Sequence, residues 1–311
     1  MALTLIEASK IAMNRDEVIK ATIMELYARS SDILQYMPFD SISGNAITFN
    51  REKTLPTVAF RGINEGYTEG TGQVDRITES LAIAGGDLDV DKFLIKTSGM
   101  DQRAVQEAMK VKALALSLTS TIVKGSVITD PKSFDGLQTR VLGDQLIGNG
   151  SAVTTAAVMS LAKLDEAIDA VDEPTHLLMN KTQRRRLSAA ARLTTVGGYI
   201  TYDLDAFGRR VTKYNDLPII VVDKDNTNTD IMPFTETNGA GNAISTSVYC
   251  LSFMENGVLG LQNGSMDVTD LGEIDDKPVF RTRVEWYVTL SIMRPKAAAR
   301  LWNINNGAAG V

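Results

Sequence analysis

The chain has 311 residues, 44% of them hydrophobic and 23% charged, with a net charge of -6, one histidine and one cysteine. Such a composition suits a globular protein and argues against a disordered or fibrous one, while the acidic balance disfavours a dedicated nucleic-acid binder, which needs a concentrated basic surface. A single cysteine, Cys250, forbids an internal disulfide, and with one histidine it cannot furnish the usual ligands of a structural zinc site.

Residues 1–36 carry Leu5, Ile6, Met13, Val18, Ile23, Leu26, Ile33 and Leu34 among scattered charges, a pattern that predicts one or two short amphipathic helices. The charges in MALTLIEASKIAMNRDEVIK do not fit a signal peptide, and no apolar run approaches the roughly 20 residues that span a bilayer, so folding in a cytosol without a membrane is expected. From Asn50 to Lys92 large apolar residues are few and glycines and acids many, which suggests a long hairpin. Its return strand is read in GGDLDVDKFLI, where Leu88 and Val90 alternate with Asp87, Asp89 and Asp91, and Gly85-Gly86 marks a bulge or bend.

GMDQRAVQEAMKVKALALSLTSTIVKG is the strongest helical segment: Ala104, Ala108, Val111, Ala115, Leu118 and Ile122 recur every three or four residues. Asp101 in the first turn, Lys124 in the last and Gly125 beyond agree with that helix, whose length is about 36 Å. After a turn at FDGLQ, helices and strands alternate. TTAAVMSLAKLDEAIDAV and KTQRRRLSAAARL read as helices, HLLMN and LPIIVVD as buried strands. VYCLSFMENGVLGLQNG reads as two strands around the hairpin-turn dipeptide Asn256-Gly257, and PVFRTRVEWYVTLSIMRP as a long strand with Phe280, Thr282, Val284, Trp286, Val288, Leu290 and Ile292 on one face.

No chemical motif survives inspection. In AFRGINEGYTEGTGQ, Gly66 is followed by Tyr67 and Thr68 where a P-loop needs Lys and Ser or Thr, Asp75 replaces the third Rossmann glycine, and Glu65, Glu69 and Asp75 would repel phosphate. Asp87, Asp89 and Asp91 share a strand face that could hold a hard cation but reads better as a solvated or partner-facing strand edge. DKDNTNTD opens like an EF-hand yet has Asn228 and Phe234 at the glycine and glutamate positions, so an exposed polar loop is expected. His176 reads as a strand-edge residue, Cys250 as buried and inert, and Arg184, Arg185 and Arg186 as a solvated helix surface. Catalytic residues, a cofactor and a metal are therefore not expected.

The order of these elements resembles the major capsid proteins of tailed bacteriophages, the Hong Kong 97 type. The likeness is carried by the hairpin of residues 50–92, the helix of 99–125, FDGLQ, HLLMNKTQRRRL with DAFGRRVTKYNDLPIIVVD, and the ending FRTRVEWYVTLSIMRPKAAARLWNI. The resemblance implies an α+β fold divided into an N-terminal arm (1–49), an extended hairpin loop (50–92), a peripheral domain with the spine helix (93–134), an axial domain (135–275) and a strand returning to the peripheral domain (276–311).

It further implies self-assembly into hexamers and pentamers of an icosahedral phage head that holds double-stranded DNA by weak contact, with assembly in the bacterial cytoplasm. A separate scaffolding protein, a portal protein and a decoration protein are the implied partners. The glycine-rich hairpin would overlap a neighbouring copy, and Arg61, Glu65, Tyr67, Glu69 and Arg76 are the candidate intersubunit contacts. Lys53 and Lys92, the only lysines of the hairpin, are read at its base, so covalent crosslinking of the kind some relatives use is not expected. An encapsulin-like nanocompartment shell is the alternative with the same fold, and a soluble carboxylate-dependent hydrolase the alternative of another class.

Overall fold

Apolar side chains at every second position from Val284 to Ile292 produce the longest described strand, β14 (Val279–Ile292), and that strand organises half of the molecule. In the computed structural model, which describes residues 3–14, 26, 30–97, 102–150, 156–190, 200–205, 207–238, 240–264 and 266–310, β14 is antiparallel to three strands. β12 (Val258–Gln262) and β13 (Asp267–Glu273) run end to end along one side, and β4 (Ala82–Asp91) covers the other. A short parallel strand, β1 (Phe39–Ser41), completes this five-stranded sheet beside β12.

One face of the sheet is covered by helix α4 (Gln102–Lys124). Val111, Ala115, Leu118 and Ile122 are buried as their spacing requires, but Ala104 and Ala108 are exposed. In those first turns Glu107 and Lys110 meet the sheet instead: Glu107 accepts a 2.8 Å hydrogen bond from Thr282, and the Lys110 ammonium crosses Gly86. Asp101 lies outside the described residues. The helix stops at Gly125, where an added Cβ would come within 2.3 Å of the Phe134 carbonyl oxygen, so only glycine lets the following turn close and the Gly136 N–H reach the Gly125 carbonyl at 2.8 Å. That turn leads into the short helix α5 (Leu137–Arg140).

The second sheet has the order β5-β15-β11-β6-β9-β8-β7, from Leu146–Gly148, Ala298–Ile304, Ala243–Leu251, His176–Asn180, Leu217–Val222, Arg210–Tyr214 and Ile200–Leu204, with β10 (Glu236–Thr237) on β11. In β6, Leu177 and Met179 enter the core under helix α6 (Leu161–Asp169), while Leu178 enters the core shared with α4 and β14. Burial on both faces explains why HLLMN and LPIIVV are continuous apolar runs without alternation. Helix α7 (Lys181–Ala190) follows β6. At the N-terminus, Leu5–Asn14 and Asp32–Tyr36 are helical, as the amphipathic pattern predicts.

Four readings of the sequence require correction. β4 is not the return strand of the hairpin; it pairs with β14 over its whole length, because Leu88 and Val90 alternate toward α4 and need the covered sheet. The hairpin proper is β2 (Ala46–Thr54) on β3 (Gln73–Ser80), so its paired arms have 9 and 8 residues, about half the length read from the sequence. Asn256-Gly257 is not a hairpin turn either: β11 and β12 belong to different sheets, and the dipeptide lies where the chain crosses between them. For the same reason a boundary at residue 275 cuts across the architecture. β12 and β13 belong with β14, whereas β15, beyond that boundary, is the neighbour of β11.

The hairpin is moored by one ion pair. Glu79, near the end of β3 and 7% exposed, faces Arg140 of α5 in a two-pronged contact, with 2.8 Å between Arg140 Nη2 and Glu79 Oε2, and Arg140 Nε donates to the Asp135 carbonyl at 2.7 Å. Removing one member strands a charge out of water, a loss on the order of 3 kcal/mol. Arg140→Ala is therefore expected to lower the unfolding free energy by about 3 kcal/mol in urea titrations of the unassembled chain, with Glu79→Gln recovering part of the loss in the double variant.

Candidate functional site

Between the paired arms, residues 55–72 form a tip outside any strand. Leu55, Val58, Phe60, Ile63 and Tyr67 are 71 to 105% exposed there, a run of large apolar side chains that the described residues leave mostly in solvent. The candidate contact residues are only partly brought together. Arg61 donates from Nη1 to the Glu65 carbonyl at 3.1 Å and lies 4.9 Å from the centre of the Tyr67 ring, and the Glu65 carboxylate accepts from the Gly62 N–H at 2.8 Å. Asn64 takes the left-handed conformation that closes this turn. Glu69 is exposed farther along the tip, and Arg76 is exposed on the β3 arm opposite Asn50, so neither joins the Arg61 cluster.

The sequence reading treated the tip as polar and passed over its apolar members. Their signal was present in LPTVAF, a short β-prone run inside a glycine-rich stretch, but composition over the wider segment diluted it. Lys53 sits on the paired arm, 3.4 Å from Asp75 across the hairpin, whereas Lys92 leaves the hairpin altogether and meets Glu273 of β13 at 2.6 Å.

The other candidates resolve into structural roles. Asp89 and Asp87 each take two hydrogen bonds, from Arg281 and Arg283 respectively, at 2.6 to 2.9 Å across the β4–β14 pair. These guanidinium contacts hold both carboxyls below their ordinary range. The DKDNTNTD loop closes on itself through Asp225, which accepts from the backbone N–H groups of Thr227 and Thr229. Arg186 is not solvated surface: it donates to the Asn305 and Asn306 carbonyls. Among the described residues no group of three or more histidine, cysteine, aspartate and glutamate side chains could hold a metal.

His176 is stacked between Tyr36 and Phe253, with ring centres 4.6 and 5.2 Å away, and burial pushes its imidazole down to about 4. Cys250 is buried in β11, where desolvation pushes its thiol up to about 12, which leaves no nucleophilic thiolate at neutral pH. A buried polar knot ties the second sheet together: Arg300 donates to Glu236 and to the Ser247 hydroxyl, both at 2.9 Å, and Ser247 donates to Glu236. None of these groups opens into a cleft with a nucleophile beside a base.

Known proteins now bear on this architecture. The model of the family described as major capsid protein GP7 matches residues 14–160, the stretch that holds the hairpin, β4 and α4. That stretch is similar to the family's major capsid proteins. Solved structures agree in fold at low identity: the SrpI encapsulin of Synechococcus elongatus PCC 7942 is similar with a TM-score of 0.64 and 16% identity over 90% of this chain and 89% of that one. The capsid of a native GTA particle gives 0.62 and 15% over 88% and 90%, and Microbacterium phage Oxtober96 gives 0.59 and 15% over 87% and 90%. No curated protein matches the sequence. The shared architecture is the Hong Kong 97-type capsid fold, and the exposed tip, rather than a pocket, is the candidate functional surface.

His176 gives the protein a defined pH response. Its folded value lies below the ordinary 6.5, so the unfolded chain binds the extra proton and stability falls as pH drops from about 6.5 to about 4. The loss should approach 3 kcal/mol at pH 4. The lowered aspartates act only below their ordinary 3.8, outside that window. Urea unfolding of His176→Phe between pH 7 and 4.5 should lack most of the slope seen in the unaltered chain.

Proposed function

We propose that the chain is a major capsid protein, which builds an icosahedral phage head from hexamers and pentamers enclosing double-stranded DNA, and that the hairpin tip is laid on a neighbouring copy. The carrying observation is the tip itself. An isolated two-stranded hairpin is marginal in water, yet this one holds Leu55, Val58, Phe60, Ile63 and Tyr67 into solvent at its end. Each large apolar side chain covered by a neighbour would contribute about 1.5 to 3 kcal/mol. Symmetry repeats that gain around every capsomer, so contacts that are weak singly suffice for a closed container.

In this reading the eight-stranded sheet lies toward the capsomer axis and the β14 sheet with α4 toward the periphery, while residues 1–49 touch adjacent subunits as an arm. The role is structural and requires no catalysis. A separate scaffolding protein directs assembly in the bacterial cytoplasm, a portal protein occupies one vertex, and the acidic chain holds DNA by weak contact. Arg61, Glu65, Tyr67, Glu69 and Arg76 remain the candidate polar contacts at the interface. The likeness to the SrpI encapsulin favours a second reading, a nanocompartment shell, because both kinds of shell share the fold. The family match over residues 14–160 weighs against it.

Replacing residues 56–71 by Asn-Gly, a two-residue turn compatible with the β2–β3 pair, should leave the unfolding midpoint of the unassembled chain within about 1 kcal/mol of the original, since the tip buries nothing. Sedimentation and negative-stain microscopy should then show no stable shells. Normal particles from this variant would refute the role assigned to the tip.

A further inference from the structure

We propose that residues Leu55–Phe60 of the tip are received by a second copy of this chain as an added strand on the open edge of β4. The inference rests on the assembly reading above and names the surface of the neighbour that takes the tip.

Among the described residues β14 is the only strand partner of β4. Every second residue along Ala82–Asp91 therefore turns its backbone N–H and C=O away from the sheet, and such an edge is a template for another strand. Beside Ala82–Gly85 the edge forms one wall of a groove of about 250 Å³ whose opposite wall is α4. Leu118, Phe134 and Trp286, each 6% exposed or less, line its bottom, and Asp130 and Lys132 stand on its rim. The site thus offers main-chain hydrogen bonds along one side and apolar space beneath, the two requirements of strand addition.

The occupant is chosen by complementarity. Leu55–Phe60 has no strand partner in its own chain, and Val58 and Phe60, 91 and 105% exposed, fall on the same side of an extended backbone. Pro56 lacks an N–H, which suits a strand that becomes the new edge of a sheet. Charges match as well: Arg61 follows the segment and can face Asp130, while Glu65 and Glu69 can face Lys132. A larger groove at the hairpin base, about 1000 Å³, is lined by Arg51, Glu52, Lys53, Asp144, Arg294 and Lys296 among others, and an apolar strand there would desolvate charges without pairing them.

Cysteine pairs in the full chain test the contact, because the only native cysteine is buried. Val58→Cys with Ser117→Cys, assembled under reducing conditions and then oxidised, should give a ladder of covalent oligomers on a non-reducing gel, absent from either single variant. Shells without that ladder, or a ladder from Val58→Cys with Asn256→Cys at the hairpin-base groove, would overturn the inference. Should the double variant not assemble, hydrogen exchange on the unaltered protein decides: the amides of Ala82–Gly86 should slow at least tenfold on going from free subunits to shells. Intact shells without that protection overturn this inference alone, whereas an unaltered protein that forms no shells overturns the assembly reading and the inference with it.

Discussion

The strand Val279–Ile292 and the helix that covers it carry the rest of the structure. With 14 residues and one face buried from Thr282 to Ile292, β14 must be covered along nearly its whole length, and α4 is the only described helix long enough to do so. Because β14 outruns any single partner, β12 and β13 share one of its sides and β4 takes the other. β4 is thereby held at the sheet, and the hairpin of β2 and β3 is left outside as an arm. Packing of the beam decides what is arm and what is body.

Electrostatics then fix the parts that packing leaves loose. Glu79 and Arg140 moor the arm at its base, Arg281 and Arg283 pair with Asp89 and Asp87 across an exposed sheet face, and Arg300 with Glu236 closes the interior of the second sheet. These pairs differ in value. The exposed ladder is screened and worth little, whereas in the two buried pairs the loss of one member would leave the other's charge unpaired out of water. Each of them ties one element of the fold to another.

A shell subunit also inverts the usual meaning of an exposed apolar residue. On a monomeric enzyme, Phe60 and Val58 in full solvent would be a liability. On the shell subunit proposed above they are interface awaiting its other half. The same economy leaves β4 unpaired on its outer edge.

By itself the sequence determined the elements that depend on local periodicity: α4 from its three-and-four spacing, β14 from its alternation, β6 and β9 from their apolar runs, and the absence of disulfide chemistry from a single cysteine. The order of those elements sufficed to point to the capsid fold. Strand partners were decided only by the tertiary structure. Asp87–Asp91 alternates equally well in a hairpin or beside β14, and Asn256-Gly257 permits a turn without requiring one, because pairing is a contact between residues up to about 200 positions apart that neither segment encodes alone. Exposure at the tip was hidden for the same reason: whether LPTVAF is core or surface depends on what lies beside it, and within one chain nothing does.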